Sequence, residues 1–128
     1  MMNDVNILKM ATAMARHAAE RHKVLSENLA NADTANYKAK DLEPFADAYS
    51  RFAKRSDMSS KLGNNPDPMA AWRAETVNTQ GAMSPNGNNV SIEDQMMRSI
   101  EAQGDHQAAT AIYKKAMNIM RLTLGRGA

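Results

Sequence analysis

The sequence predicts an all-α protein: two long terminal helices that pair as a coiled-coil-like hairpin, joined by a loose and partly disordered middle segment. Three observations carry that expectation. All four prolines (Pro44, Pro66, Pro68, Pro85) lie in the middle of the chain, together with Gly63, Gly81 and Gly87. Five of the six aromatic residues (Tyr37, Phe45, Tyr49, Phe52, Trp72) fall there too. At both ends, by contrast, Ala, Met, Leu and Ile recur at spacings of three and four, the period of a helix face. The composition shifts divide the single structural unit into an N-terminal helix (1–32), a turn motif with a variable middle segment (33–90) and a C-terminal helix (91–128).

The first helix is expected from about Asp4 to Asn31, with Asn3 or Asp4 as its N-cap. Leu8, Ala11, Ala15, Ala18, His22, Leu25, Leu29 and Ala32 form a heptad-like stripe broken only by His22. Alanine dominates the stripe, so a partner helix can approach closely. At the α-helical rise the segment is about 40 Å long.

After Pro44, the residues Leu42, Phe45, Tyr49 and Phe52 suit a short amphipathic helix with the proline in its first turn. Residues 56–70 read as a flexible loop, residues 72–77 as extended chain, and residues 84–89 (SPNGNN) as a turn.

The last helix is expected from Ser91 to about Leu124, roughly 50 Å long. Ser91 with Asp94 resembles a capping box, with Asp in place of the usual Glu. Glu93 and Asp94 sit at the positive end of the helix dipole, and Lys114, Lys115, Arg121 and Arg126 toward the negative end. Gly125 is the expected C-cap, and Gly104 marks a kink or a close helix contact. One stripe holds Ile92, Met96, Ser99, Gln103, His106, Thr110, Tyr113, Met117, Met120 and Leu124, and a second holds Met97, Ile100, Gly104, Ala108, Ala111 and Ile119. Two stripes on one helix imply more than one neighbour. A hairpin of two such helices leaves apolar surface bare unless something covers it, and self-association or a partner is the physical remedy.

The bulk numbers exclude several functions. The chain has no cysteine, which removes disulfides and thiol catalysis. Its net charge is only +2, and basic and acidic residues are mixed in every segment, so no basic face for nucleic acid is present. No apolar run approaches the ~20 residues of a membrane span. The N-terminus lacks the pattern of a cleaved secretory signal, because Lys9, Arg16 and His17 interrupt it. Any passage out of the cytoplasm is expected to use another route.

The search for chemistry returns little. His17 and His22 are five residues apart, not the four that put two ligands on one helix face, and His106 is remote in sequence. There is no phosphate-binding loop, dinucleotide fingerprint or nucleophile elbow. The helix acids Glu20, Glu27, Glu93 and Glu101 show no catalytic pairing. No catalytic residue, cofactor or metal site is expected, and the chain reads as a non-enzyme.

The informative motif follows the first helix: Ser26-Glu-Asn-Leu-Ala-Asn-Ala-Asp-Thr-Ala-Asn-Tyr-Lys38. Asn28, Asn31, Asp33 and Asn36 offer side chains that bond back to the backbone and stop a helix. The stretch closely resembles the N-terminal signature of the bacterial flagellar axial proteins, the rod and hook family, of the form S-x-N-x-A-N-x-x-T-x-G-Y/F-K. Ser26, Asn28, Ala30, Asn31, Thr34, Tyr37 and Lys38 match it. Asn36 stands at the glycine position, and asparagine is the non-glycine residue that best tolerates a positive φ. Lys40-Asp41-Leu42 with Phe45, the lead-in Asn86-Gly-Asn-Asn-Val90, and Gln107-Ala-Ala-Thr110 with Tyr113 resemble segments of the proximal rod proteins within that family.

The resemblance implies a structural subunit of the flagellar basal body, exported without a cleaved signal peptide and sited in the periplasmic rod. It implies polymerisation through the terminal helices into a helical drive shaft. The partners it implies are other rod proteins and further copies of the chain, the hook–basal-body adaptor FliE, the membrane ring protein FliF and the flagellar type III export apparatus. Ser26, Asn28, Asn31, Thr34, Tyr37, Lys38, Asn88, Asn89 and Val90 are the expected assembly and turn residues. Leu8, Ala11, Ala15, Ala18, Leu25, Leu29, Ile92, Met96, Ile100, Ala111, Met117 and Leu124 are expected to pack against the other helix or a neighbour. Phe45 with Tyr49 resembles the motif by which export substrates engage the gate. The alternative reading is a soluble helical adaptor or a small DNA-associated protein, the latter needing a basic face that the charge distribution does not supply.

Overall fold

The computed structural model of the chain describes residues 2–60, 74–76 and 83–126. Their order is helix α1 (Met2–Ala30), strand β1 (Lys40–Leu42), helix α2 (Phe45–Ser60), strand β2 (Ala74–Thr76) and helix α3 (Ile92–Arg126). The protein is mostly helical, and the two long terminal helices pack together. None of the described helices is long and apolar enough to cross a membrane.

The hairpin is antiparallel: Asn28 meets Gln95 near the turn, while Ala11 lies beside Ala109 far from it. Its seam is a seven-residue repeat on each helix. Ala11, Ala18 and Leu25 are buried on α1, and Gln95, Ala102, Ala109 and Ala116 on α3. A strict seven-residue recurrence is the signature of a left-handed pair of helices. Alanine on both sides lets the backbones come close, so the core is thin: among the described residues the largest fully buried apolar side chain is Leu25. Neither α3 stripe read from the sequence contains these four seam residues. The seam escapes such a reading because it is built from three alanines and a glutamine, which carry little hydrophobic signal.

Several boundaries differ from expectation. α2 continues to Ser60, so the loop expected from residue 56 does not begin there. Residues 61–70 of that loop lie outside the described residues. Pro44 precedes the helix and is not in its first turn; its carbonyl accepts from the amides of Asp47 and Ala48, the role of an N-cap. Leu42 belongs to β1 and not to α2. Of the segment expected to be extended, residues 74–76 form β2, which pairs antiparallel with β1 in the register Lys40 to Thr76, Asp41 to Glu75 and Leu42 to Ala74. Trp72 and Val77 lie outside the described residues.

α3 starts as expected. Ser91 is its N-cap, with Oγ accepting from the Asp94 amide at 3.3 Å. The helix does not stop at Gly125 but runs to Arg126. It also passes unbroken through Gly104, where a Cβ would meet nothing within 4 Å. Neither a kink nor a close contact within the chain therefore requires that glycine.

Two substitutions check this packing. Ala109→Leu forces a large side chain into a close seam and is expected to lower stability by about 1–3 kcal/mol. Gly104→Ala is expected to raise it by about 1 kcal/mol through helix propensity alone. Urea midpoints followed by circular dichroism measure both, and an unchanged midpoint for Ala109→Leu contradicts the seam.

Candidate assembly site: the clamped turn and the faces of the hairpin

The chain leaves α1 through a run of short polar side chains. Asn31 donates to the Glu27 carbonyl at 2.8 Å, and Thr34 donates to the Asn31 side chain at 3.1 Å. Ser26, exposed, donates to the His22 carbonyl at 2.9 Å. Asn36 adopts a φ of 61°, the left-handed conformation that glycine would favour at this position. The substitution of Asn for Gly thus keeps the turn.

Asn28 is fully buried and uses all of its hydrogen-bonding capacity. Its amide nitrogen donates to the Lys40 carbonyl at 2.6 Å and to Gln95 Oε1 at 2.9 Å. Its oxygen accepts from the Tyr37 hydroxyl and from the Lys40 amide, both at 3.0 Å. One side chain on α1 therefore fixes the turn, β1 and the first turn of α3. Burial, with the charge of Glu27 nearby, pushes the Tyr37 phenol up, which keeps it protonated as a donor.

The segment before α3 closes the turn from the other side. Asn88, 2% exposed, donates to the carbonyls of Asn31 and Thr34 at 2.8 and 2.7 Å, and its oxygen accepts from the Val90 amide at 2.8 Å. Asn89 Oδ1 accepts from the Ala39 amide at 2.6 Å. The Asn36 amide donates to the Asn86 carbonyl at 2.9 Å. Lys38 Nζ donates to the Gly87 carbonyl. Gly87 has a φ of 84°, which favours glycine, and a Cβ there would push the Asn36 side-chain oxygen aside. Two motifs some fifty residues apart in sequence thus form one clamp. The structure brings together every turn residue expected from the sequence except Ser26, which stays within α1.

Beneath the clamp lies an ion cluster. Arg21 of α1 holds both oxygens of Asp41 at 3.0 Å, and Arg98 of α3 reaches Asp41 Oδ2 at 2.7 Å. Arg98 also bonds Asp94 at 2.8 Å, one turn back on its own helix, and Arg21 bonds Glu101 at 3.1 Å. Burial pushes the Asp41 carboxyl up, but the hydrogen bonds from Arg21 and Arg98, the charge of Arg21 and the Leu42 amide outweigh it and hold the group below the usual carboxylate range. Alongside, the buried His17 ring meets the Glu43 carbonyl through Nε2 at 2.6 Å, and Arg51 pairs with the buried Glu43 carboxylate. Phe45 stands edge-on to His17 with ring centroids 5.7 Å apart, and Tyr49 lies 5.6 Å from Phe45. Phe45 is thus half-buried against α1, while Tyr49 is largely open. Sequence reasoning passed over Arg21, Gln95 and Arg98. Their partnership depends on where the paired helices place them, and the seam that sets it carries little hydrophobic signal.

The two sides of the hairpin differ. The side bearing Arg21 and Asn28 is met by β1, and Phe45 at the start of α2 packs on His17. The opposite side is an open groove, lined by Ala15, Ala19 and His22 of α1 and by His106, Thr110 and Tyr113 of α3. Leu8 and Ala15 are half-buried beside it, Ala11, Ala18 and Leu25 are in the seam, and Leu29 is mostly exposed. On α3, Met117 is half-buried and Ala111 exposed. Ile92, Met96, Ile100 and Leu124 are 55%, 58%, 68% and 60% exposed, so nothing within the described chain covers them. Among the described residues no group of three or more His, Cys, Asp or Glu side chains is placed to hold a metal ion.

Comparison with known proteins agrees with the motif reading. No protein-family model matches the chain. Over 98% of its length it is 25% identical to the flagellar basal body rod protein FlgB of Agrobacterium fabrum, and the likeness covers 97% of that protein. The chain therefore resembles a FlgB-type rod protein from end to end.

Three measurements test the clamp. Asn28→Ala strands the Lys40 amide and Gln95 in a buried place and is expected to cost at least about 2 kcal/mol. Asn36→Ala is expected to cost about 1–2 kcal/mol through its positive φ, and Asn36→Gly to be neutral or stabilising. The Asp41 contribution should be complete above about pH 4, the unfolded value, and be lost as pH falls through its lower folded value. A urea-midpoint series from pH 7 to pH 3 should therefore fall steeply for the wild type and less steeply for Asp41→Asn.

Proposed function

We propose that this chain is a structural, non-enzymatic subunit of the proximal rod of the bacterial flagellar basal body. Its terminal helices α1 and α3 polymerise with further copies and with sister rod proteins into the helical drive shaft. One observation carries the reading furthest. α3 bears large apolar side chains on the side turned away from α1: Met97, Ile100, Ile119 and Leu122 are 66%, 68%, 53% and 63% exposed. Exposed patches of this kind mark interaction surfaces. The end-to-end likeness to a rod protein supplies the kind of neighbour.

In this reading the hairpin is the building block, and the clamp fixes the register in which α3 is presented. The alanine-lined groove between Ala15, Ala19 and Tyr113 accepts a ridge of a neighbouring helix. The near-neutral charge, +2 in all, permits dense stacking without strong repulsion. FliE, FliF and the other rod proteins are the neighbours at the base and sides, and the subunit reaches the periplasmic space through the type III export apparatus without a cleaved signal. Phe45 and Tyr49 are the segment offered to the export gate. Phe45 packs on His17 in the folded chain, so gate recognition takes place before α2 docks.

Complementation of a deletion strain tests the proposal. Ile100→Asp and Met97→Asp are expected to leave the helical content and melting of the purified chain unchanged, within about 0.5 kcal/mol. They are expected to abolish rod assembly and swimming. Normal motility with both substitutions combined contradicts the assembly role of this face.

A further inference from the structure

Met96 and Met97 are neighbours on α3, 58% and 66% exposed, and Ile100 lies one turn on at 68%. Met10, Met14, Met117 and Met120 are half-buried by comparison. The chain has no cysteine, so thioether sulfurs are its only sulfur nucleophiles. We propose that the Met96–Met97 pair is an oxidative modification site that switches the assembly face of α3 from apolar to polar. The proposal rests on the rod-assembly reading above.

The oxidant is a peroxide. A sulfur lone pair attacks one peroxide oxygen, the O–O bond breaks, and the departing hydroxide takes the proton of the new S–OH group and leaves as water. The thioether ends as a sulfoxide, oxidised by two electrons, while hydrogen peroxide is reduced to water. The product is polar and chiral, and it is reversible by sulfoxide reductases. A sulfoxide on a face that must be buried needs a hydrogen-bond donor, and an apolar neighbour offers none. Neither Met96 nor Met97 belongs to the seam of Gln95, Ala102, Ala109 and Ala116, so the hairpin itself stays intact.

Met83 is an internal control. It is as exposed as Met96 at 58%, but it precedes α3, and Lys38 Nζ donates to its sulfur at 3.5 Å.

The experiment treats the purified full chain with graded hydrogen peroxide. Peptide mass mapping follows each methionine, circular dichroism follows the fold, and sedimentation at high concentration follows association. Met96 and Met97 are expected to oxidise at least about fivefold faster than Met10 and Met14, as their exposure requires. Helicity should be kept while association falls at least about tenfold. The double variant M96L/M97L should associate normally after the same treatment, and Met83→Leu should give no protection. Equal oxidation rates, or M96L/M97L losing association as readily as the wild type, overturns the proposal. So does a fully oxidised chain that associates like the untreated one. An untreated chain that fails to associate overturns the assembly reading and, with it, the switch.

Discussion

Asn28 ties the molecule together at the point where a two-helix hairpin is weakest. Its side chain spends two donors and two acceptor positions on Lys40, Gln95 and Tyr37, and the Asn28 and Gln95 side chains themselves are fully buried. A buried amide is costly when any partner is missing and specific when all are present. The seam below it is built largely of alanine and buries little area, so apolar contact alone cannot define how far α3 slides along α1. The amide defines that register. Asn88 then satisfies the last carbonyls of the turn, and Asp41 joins Arg21 to Arg98 across the two helices.

The division of labour between the faces follows from this. Polar specificity is concentrated at the closed end of the hairpin and on the side that β1 meets. The open groove and the outer surface of α3 carry Tyr113, Met97, Ile100 and Leu122 without a cover among the described residues. A self-sufficient bundle would turn its bulky residues inward and leave alanine outside. Here alanine is inside and the bulky residues face out, the arrangement suited to a component that completes its core with neighbours.

Much of this was legible in the sequence, for physical reasons that differ from element to element. The end of α1 and the start of α3 were legible because Asn and Ser compete with the helical backbone; the other ends were not, since α1 already includes Asn3 and Asp4, α2 runs on to Ser60 and α3 passes through Gly125. The turn was legible because Asn36 at a glycine position implied a positive φ, which the backbone adopts. The strand pairing of Lys40–Leu42 with Ala74–Thr76 was not, because three-residue strands leave no period to read. The seam was not either: Ala102 and Ala109 are weak hydrophobic signals beside Met96 and Ile100, which lie outside it. Asp41 was singled out only as part of a motif; that it is buried between two arginines depends on where α1 and α3 place Arg21 and Arg98, which is a property of the fold.

The central claim is that the outer face of α3 is a contact between subunits. A photo-reactive phenylalanine analogue at position 100, introduced in motile cells of the native host, tests it most directly. The account requires an adduct to another flagellar rod subunit or a second copy of this chain, identified by mass spectrometry of the cross-linked peptide. Adducts confined to the chain itself, or none at all in cells that swim, would contradict it.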